Sequence, residues 1–456
     1  MLPMTVSEIA QAVGGELTGT PISGETAITN VVIDSRDIPA NALFVPILGD
    51  RFDGHDFIPT ARKNGAVCVL SSRPLNDGPY ILVDDTLAAL QAIASHYRDK
   101  FTIPVIGITG SVGKTSTKEM LYSVLSTQLC TLKTLGSFNN QTGVPLTLFR
   151  LEPTHQVAII EMGTNHFGEI ETLSKIVKPT VCLFTNIGVA HIEFFGSREG
   201  ILQGKTEMLH GMQPGGHVIV NGDDDLLVTI PDALCYGFSE TCDVRATDIR
   251  DLGLRGSLFS VTYQNRRVRV RVPAPGLHSI RNALAAIATG LTLGLSLEAL
   301  AAGVESYTPP TGRMDIRFTD RMTVIDDTYN ANPTSVEASI DAMSGATGRR
   351  VCILGDMLEL GEQSPAYHAE VGRYAIEHQI DLLLCVGPES RHTYEAAIAL
   401  SPKSALYFET QQAMLEQLDD LLCSGDTVLV KASRGMHLEN TVKQLLSSSQ
   451  TGKTEN

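Results

Sequence analysis

Apolar and polar positions along the chain fall into blocks that change character twice. Up to about residue 100, short β-like runs (AITNVVID, ALFVPIL, AVCVLSS, YILVDD) mix with helix-spaced stretches near 6–13 and 56–64. The pattern TLAALQAIASHYR at 86–98 predicts a further helix. From about 101 to 310 the order becomes strand, Gly-rich turn, helix. PVIGITG is a short apolar run, and SVGKTSTKEMLYSVLST after it carries Met120, Leu121, Val124 and Leu125 at helical spacing. VAIIEMG, VCLFTNIG and HVIVNGD are further strand-length runs ending in Gly, Asn or Asp, as parallel strands feeding loops do. Residues 243–273 (SLFSVTYQ, RRVRVRVPA) read as antiparallel.

YTPPTGRMD at 307–315 reads as a linker, because Pro309 and Pro310 stop the preceding helix and stiffen the chain. Alternation then restarts. MTVIDDTY, RVCILGDM, DLLLCVG, ALYF and DTVLVKAS predict strands, with helices at 334–343, 366–378, 390–400, 411–422 and 438–447. The tail SSSQTGKTEN has nothing to bury and reads as frayed. The fold class is α/β in three domains: a small N-terminal α/β domain (1–100), a central P-loop ATPase-like domain with a parallel sheet (101–310), and a C-terminal doubly wound, Rossmann-like domain (311–456).

The chain has 456 residues, and about 100–200 residues per domain gives a similar count. Hydrophobic residues make up 43% and charged ones 19%, the mix of a packed globular protein. The net charge of −16, with no long basic run, disfavours a grip on a nucleic-acid backbone. The first residues lack a basic stretch followed by an apolar core, and no apolar run approaches the ~20 residues that span a bilayer. The eight cysteines form no CxxC. Those in AVCVL, TVCLF, RVCIL and LLLCVG read as small buried hydrophobes, so neither a zinc site nor a disulfide framework is expected. The compartment reads as reducing cytoplasm.

The strongest local motif is Gly107-Ile-Thr-Gly110-Ser111-Val112-Gly113-Lys114-Thr115-Ser116, between a predicted strand and a predicted helix. Glycines let backbone N–H groups approach phosphates, and the helix N-terminus adds partial positive charge. Lys114 would reach the outer phosphates and Thr115 would offer a hydroxyl to Mg²⁺. Ile108 stands where the strict G-x-x-x-x-G-K-[ST] pattern needs Gly, so only the shorter TGSxGKT core is present. Glu161 closes the apolar run VAIIE, which suits an acid at a strand end that holds a metal. His191 is equally readable as a structural histidine or a ligand, since Mg²⁺ prefers oxygen. Lys205, on its residue type alone, reads as a surface lysine.

ITGSVGKTS, EMGTNHFGEI, TNIGVAHIEFFGSREGILQGKTEM, HSIRNALAA, TGRMD, DDTYNANPTS and LGDMLELGE follow one another as in the Mur ligases. The chain resembles that family over nearly its whole length. DDTYNANPTS with LGDMLELGE is most similar to the members that add D-alanyl-D-alanine. The resemblance implies an ATP-dependent, amide-forming ligase of peptidoglycan synthesis. It would join D-alanyl-D-alanine to UDP-N-acetylmuramoyl-tripeptide through an acyl phosphate and a tetrahedral intermediate, in a cytoplasmic monomer.

The resemblance also implies residue roles. Gly110, Ser111, Val112, Gly113, Lys114, Thr115 and Ser116 would hold ATP. Thr115, Glu161 and His191 would hold two Mg²⁺ ions, and Lys205 matches the lysine that is carbamylated in relatives. Asn282, Arg313, Tyr329 and Asn330 match nucleotide contacts. Ser35, Arg36, Asp53 and Gly54 match the uridine-nucleotide site, Asn139 and Asn140 the muramoyl contacts, Asn332 a substrate contact near Tyr329 and Asn330, and Ser433 and Arg434 the side that closes over the incoming amine. Two departures stand out: Ser279 follows His278 where the family has Asn, and Ala432 stands where Gly is common. Two other readings stay open on the residues: a sister ligase adding a single amino acid, and a P-loop nucleotide-binding or hydrolysing protein. The DNPR tetrapeptide of the diaminopimelate-adding relatives does not occur in the chain.

Overall fold

The computed structural model describes residues 1–49, 52–190 and 192–448. Among the described residues no helix is long and apolar enough to cross a membrane. The chain divides into two compact units. One comprises Met1–Thr109, Gln128–Cys182 and Gly204–His217; the other comprises Gly110–Thr127, Leu183–Gln203 and the chain from Val218 onward.

In the first unit, the strands Asn30–Val32, Ala42–Phe44, Cys68–Ser71 and Pro79–Leu82 pair in parallel in that order, and Glu16–Gly19 adds an antiparallel edge. Phe44, Ile58, Ala61, Val69 and Tyr80 form the core on one face of this sheet. The helix Val6–Val13 starts at a capping box, with Thr5 and Glu8 satisfying each other's backbone N–H groups, and ends at Gly14 in the left-handed conformation. Val105–Thr109 pairs in parallel with Val157–Glu161, which also pairs with Thr131–Lys133. Every residue of Val105–Thr109 and Val157–Glu161 is buried. Burial on both faces explains why these runs are continuously apolar rather than alternating.

The second unit carries a six-stranded sheet in the order Asp315–Phe318, Thr323–Asp326, Thr427–Lys431, Arg350–Gly355, Leu382–Val386, Ala405–Phe408. All its pairs are parallel except the first, an antiparallel edge. Separate apolar clusters, one around Ile340, Val371 and Leu383 and the other around Val351, Leu384 and Leu418, form the double-wound core. The edge strand Asp315–Phe318 begins where the linker reading ended, and its exposed Arg317 and Phe318 concealed it from the pattern. The helix expected over 411–422 is two short ones, Gln411–Leu415 and Leu418–Leu421, and nothing local in the sequence marks the break. The antiparallel expectation for 243–273 holds. Ser257–Tyr263 and Arg266–Val272 join through Gln264 and Asn265, both at positive φ (46° and 65°), as a tight two-residue hairpin requires.

Cys68, Cys182, Cys352 and Cys385 are buried within strands, as their apolar surroundings implied. His368 is 1% exposed and pins the loop after Gly355. Its Nε2 accepts the Met357 N–H at 3.0 Å, and its Nδ1 lies 2.8 Å from the Ser364 carbonyl, to which it donates. Burial holds its pKa below the ordinary 6.5. The unfolded chain therefore binds this proton at a higher pH than the folded one. The stability it contributes is complete above 6.5 and is lost as pH falls toward the depressed folded value. We expect the urea midpoint of the wild type to fall more steeply between about pH 7 and 5 than that of His368→Gln, whose side-chain carbonyl can still accept from Met357. Parallel pH profiles would remove His368 from this account.

Candidate active site

The segment Gly110–Gly113 turns the chain from the buried strand ending at Thr109 into the helix Lys114–Leu125. The turn needs its glycines. Gly110 has φ +151°, and a Cβ there would lie 1.9 Å from Thr185 Oγ1. Gly113 caps the helix at φ +82° with no side chain to satisfy the first-turn N–H groups. The helix buries Met120, Leu121, Val124 and Leu125, the face its spacing predicts.

A second segment, 185–188, clamps this loop. Ser111 N–H donates to the Asn186 carbonyl (3.0 Å) and Val112 N–H to Asn186 Oδ1 (2.8 Å). Thr185 Oγ1 donates to the Val112 carbonyl (2.7 Å), and Gly188 N–H donates to Ser111 Oγ (2.9 Å). In TNIGVAH the sequence points to His191 and not to Thr185 and Asn186. A Thr-Asn pair immediately after a buried strand was the available signal. Lys114 Nζ folds back onto the Gly110 carbonyl (2.6 Å) and the Ser111 carbonyl (3.4 Å).

Residues far along the chain converge on the same loop. Asn282 Oδ1 accepts from Thr117 Oγ1 at 3.0 Å. Arg313 donates to Thr115 Oγ1 at 3.2 Å, and its guanidinium carbon lies over the Tyr329 ring, 4.0 Å from its centroid. Its Nε is buried with no hydrogen-bond partner. Arg434 approaches the same ring at 5.7 Å. This unit therefore assembles Gly110–Ser116, Asn282, Arg313, Tyr329 and Arg434. A helix N-terminus, an ammonium and a guanidinium with a spare donor suit a polyanion, and the stacked ring and the asparagine suit a planar base.

Other expected residues are engaged differently. Asn330 is exposed, and its carbonyl accepts from Lys431 Nζ. Asn332 is the N-cap of Pro333–Ala342 and takes the Ser335 N–H at 2.9 Å. Ser433 is buried, with its Oγ bonded to Leu358 N–H (2.9 Å) and the Ala331 carbonyl (3.3 Å). It ties together the LGDMLELGE and DDTYNANPTS segments.

In the first unit, Glu161 is 1% exposed at its strand end, and its Oε1 accepts from Asn139 Nδ2 at 2.8 Å. Asn140 Oδ1 accepts from Thr142 Oγ1 (3.1 Å) and Gly143 N–H (2.8 Å), at the start of a short helix. Lys205 is 1% exposed, which corrects the reading of it as a surface lysine. Its helix, Arg198–Thr206, carries it inward, and residue type alone cannot report that. Ser35 is buried, whereas exposed Arg36 is paired to Asp34 at 2.7 Å. Asp53 bonds His55 Nδ1 (2.6 Å) and Arg73 (3.2 Å). A Cβ at Gly54 would lie 2.5 Å from the Ile47 backbone, so only Gly fits there. His191 lies outside the described residues. Among the described residues no group of three or more His, Cys, Asp or Glu side chains has metal-holding geometry.

Three family models match in succession: the Mur ligase family catalytic domain over 27–98, the Mur ligase middle domain over 108–290, and the Mur ligase glutamate ligase domain over 312–434. The chain belongs to the Mur ligase family. It is 36% identical to the UDP-N-acetylmuramoyl-tripeptide–D-alanyl-D-alanine ligase of Bacillus subtilis strain 168, covering 98% of this chain and 99% of that protein. A crystal structure of MurF from Acinetobacter baumannii superposes with a TM-score of 0.92 at 35% identity, covering 98% of this chain and 99% of that one. MurF from Thermotoga maritima in complex with ADP gives 0.83 at 28% identity, covering 92% and 98%.

Proposed function

We propose that this chain joins D-alanyl-D-alanine to UDP-N-acetylmuramoyl-tripeptide, consuming ATP and releasing ADP and phosphate, as the step that completes the pentapeptide of the peptidoglycan precursor. The full-length similarity to ligases of that name carries the reading. The cationic loop with its Arg313–Tyr329 stack is the observation that fits it to ATP.

A carboxylate is a poor electrophile. The tripeptide carboxylate therefore attacks the γ-phosphorus, and ADP leaves. The amine of the dipeptide then adds to the acyl carbon, and the tetrahedral adduct expels phosphate and loses a proton. The protein's part is alignment and charge neutralisation. Lys114 leaves the loop carbonyls for the outer phosphates, Arg313 turns its spare donor to the same charge, and Tyr329 and Asn282 bracket the base. Thr115, Glu161 and His191 would hold Mg²⁺, two ions in all. The metal supplies positive charge that lets one anion approach another.

Lys205 would be carbamylated. Its burial supports this, because a carbamate is an anion suited to a metal site shielded from bulk water. Ser35, Arg36, Asp53 and Gly54 would take the uridine nucleotide, Asn139 and Asn140 the muramoyl part, Asn332 a substrate contact near Tyr329 and Asn330, and Ser433 and Arg434 the dipeptide side. The three working domains would be 1–100, 101–310 and 311–456, in a cytoplasmic monomer.

The test is phosphate release from ATP with the UDP-muramoyl-tripeptide present, comparing D-alanyl-D-alanine, single amino acids and no amine. Release that needs both substrates, with a pentapeptide product by mass, supports the reading. Release with a single amino acid moves the chain to a sister activity, and release indifferent to any amine leaves a hydrolase. Gly110→Ala is expected to raise the KM for ATP about tenfold or more, roughly 1.4 kcal/mol, because the added Cβ displaces the Thr185 clamp. An unchanged KM would show that the clamp does not shape the site.

A further inference from the structure

We infer that Cys235 and Cys242 form a redox-active dithiol, a modification site that closes to an intramolecular disulfide by exchange with a low-molecular-weight disulfide. Their sulfurs lie 3.3 Å apart. Cys235 sits in the strand Leu234–Gly237, and Cys242 lies just ahead of Val244–Asp251, which pairs with it in parallel through Tyr236 and Val244. Both sulfurs pack over Gly222, where a Cβ would lie 2.0 Å from Cys235 Sγ and 2.5 Å from Cys242 Sγ, so glycine leaves room for the pair. Bond formation needs the sulfurs to close only to about 2.0 Å.

The turn between them is already held. Cys242 N–H donates to the Ser239 carbonyl (3.2 Å), and Ser239 Oγ bonds Thr241 Oγ1 (2.9 Å). Asp223 accepts from Phe238 and Ser239 N–H groups at 3.0 and 3.1 Å. The second thiol is thus presented to the first at high effective concentration, which favours ring closure over a lasting mixed disulfide. Asp223 also pairs with Arg281 at 3.2 Å, which ties this turn to the helix Leu277–Thr292.

Cys235 is only partly buried whereas Cys242 is buried, which makes Cys235 the attacking thiol. The neighbouring Cys242 sulfhydryl stabilises the thiolate of Cys235 and holds it below the ordinary thiol range, while Cys242 is held up. The Cys235 thiolate attacks one sulfur of the small disulfide and expels one thiolate. Cys242 then loses its proton, attacks Cys235 Sγ and expels the second. The protein is oxidised by two electrons, and one small disulfide is reduced to two thiols.

The test incubates the full-length protein with oxidised glutathione, then alkylates, digests with trypsin and weighs the peptide that carries both cysteines. We expect it two hydrogens lighter, unalkylated, and restored by dithiothreitol. The exposed cysteines Cys130 and Cys423 should instead carry glutathione, and Cys242→Ser should trap glutathione on Cys235. Full alkylation of both cysteines while Cys130 is modified would overturn the inference. So would a mixed disulfide persisting on Cys235 in the wild type, or no adduct in Cys242→Ser.

Discussion

Lys114→Ala is expected to lower kcat/KM for ligation by about 10³-fold or more while leaving the fold intact. The ammonium is the positive charge of the proposed phosphate loop, and in the structure it donates to that loop's own Gly110 and Ser111 carbonyls. Losing those bonds costs about 1–3 kcal/mol locally, because Gly110 and Ser111 are buried. Losing the charge removes the group that offsets phosphate repulsion as the tripeptide carboxylate approaches. Phosphate release and thermal unfolding measured side by side separate the two effects. Near-normal turnover by the variant would sink the assignment of Lys114.

The second large effect concerns stability. Lys431 is 3% exposed, and its Nζ lies 2.6 Å from Asp327 Oδ2 and 3.0 Å from the Asn330 carbonyl. Asp327 also accepts from Ser339 Oγ (2.7 Å) and from the Met314 N–H (3.1 Å). One buried ion pair therefore joins the end of the linker, the loop carrying Tyr329 and Asn330, the helix Pro333–Ala342 and the strand Thr427–Lys431. Lys431→Met strands a buried carboxylate, and the expected cost is about 3–5 kcal/mol. Asp327→Asn with Lys431→Met should recover much of it, because the uncompensated charge is then gone. The measurement is the urea midpoint of the three proteins. A single variant as stable as the wild type, or a double variant no better than the single, would show that the pair does not hold these segments. Since Tyr329 lies under Arg313, a folded Lys431→Met should also bind ATP more weakly.

Much of this could be read locally. The buried parallel strands are unbroken apolar runs, and the helix after Gly113 shows its buried face in four residues. The phosphate loop was legible despite Ile108, since a turn flanked by strand and helix depends on neighbours in the chain. The edge strand Asp315–Phe318 was not legible, because a half-exposed edge lacks the apolar pattern of a central strand. The side chains of Asn332 and Ser433 cap a helix and tie two loops, and neither partner is visible in the motifs that contain them. Motif similarity marks where a residue lies without saying which neighbour engages its side chain.

The sequence by itself determined the α/β class, the succession of sheets, the glycine turn between strand and helix at 110–113 and the family, because periodicity, turn chemistry and motif order are properties of short stretches. Tertiary structure alone decided that Lys205 is buried, that Thr185 and Asn186 clamp the loop, and that two cysteines seven residues apart meet sulfur to sulfur. It also decided that Arg313 reaches Thr115 across 198 residues of chain. Such contacts join residues that no local period links, and they form only when separately folded elements pack together.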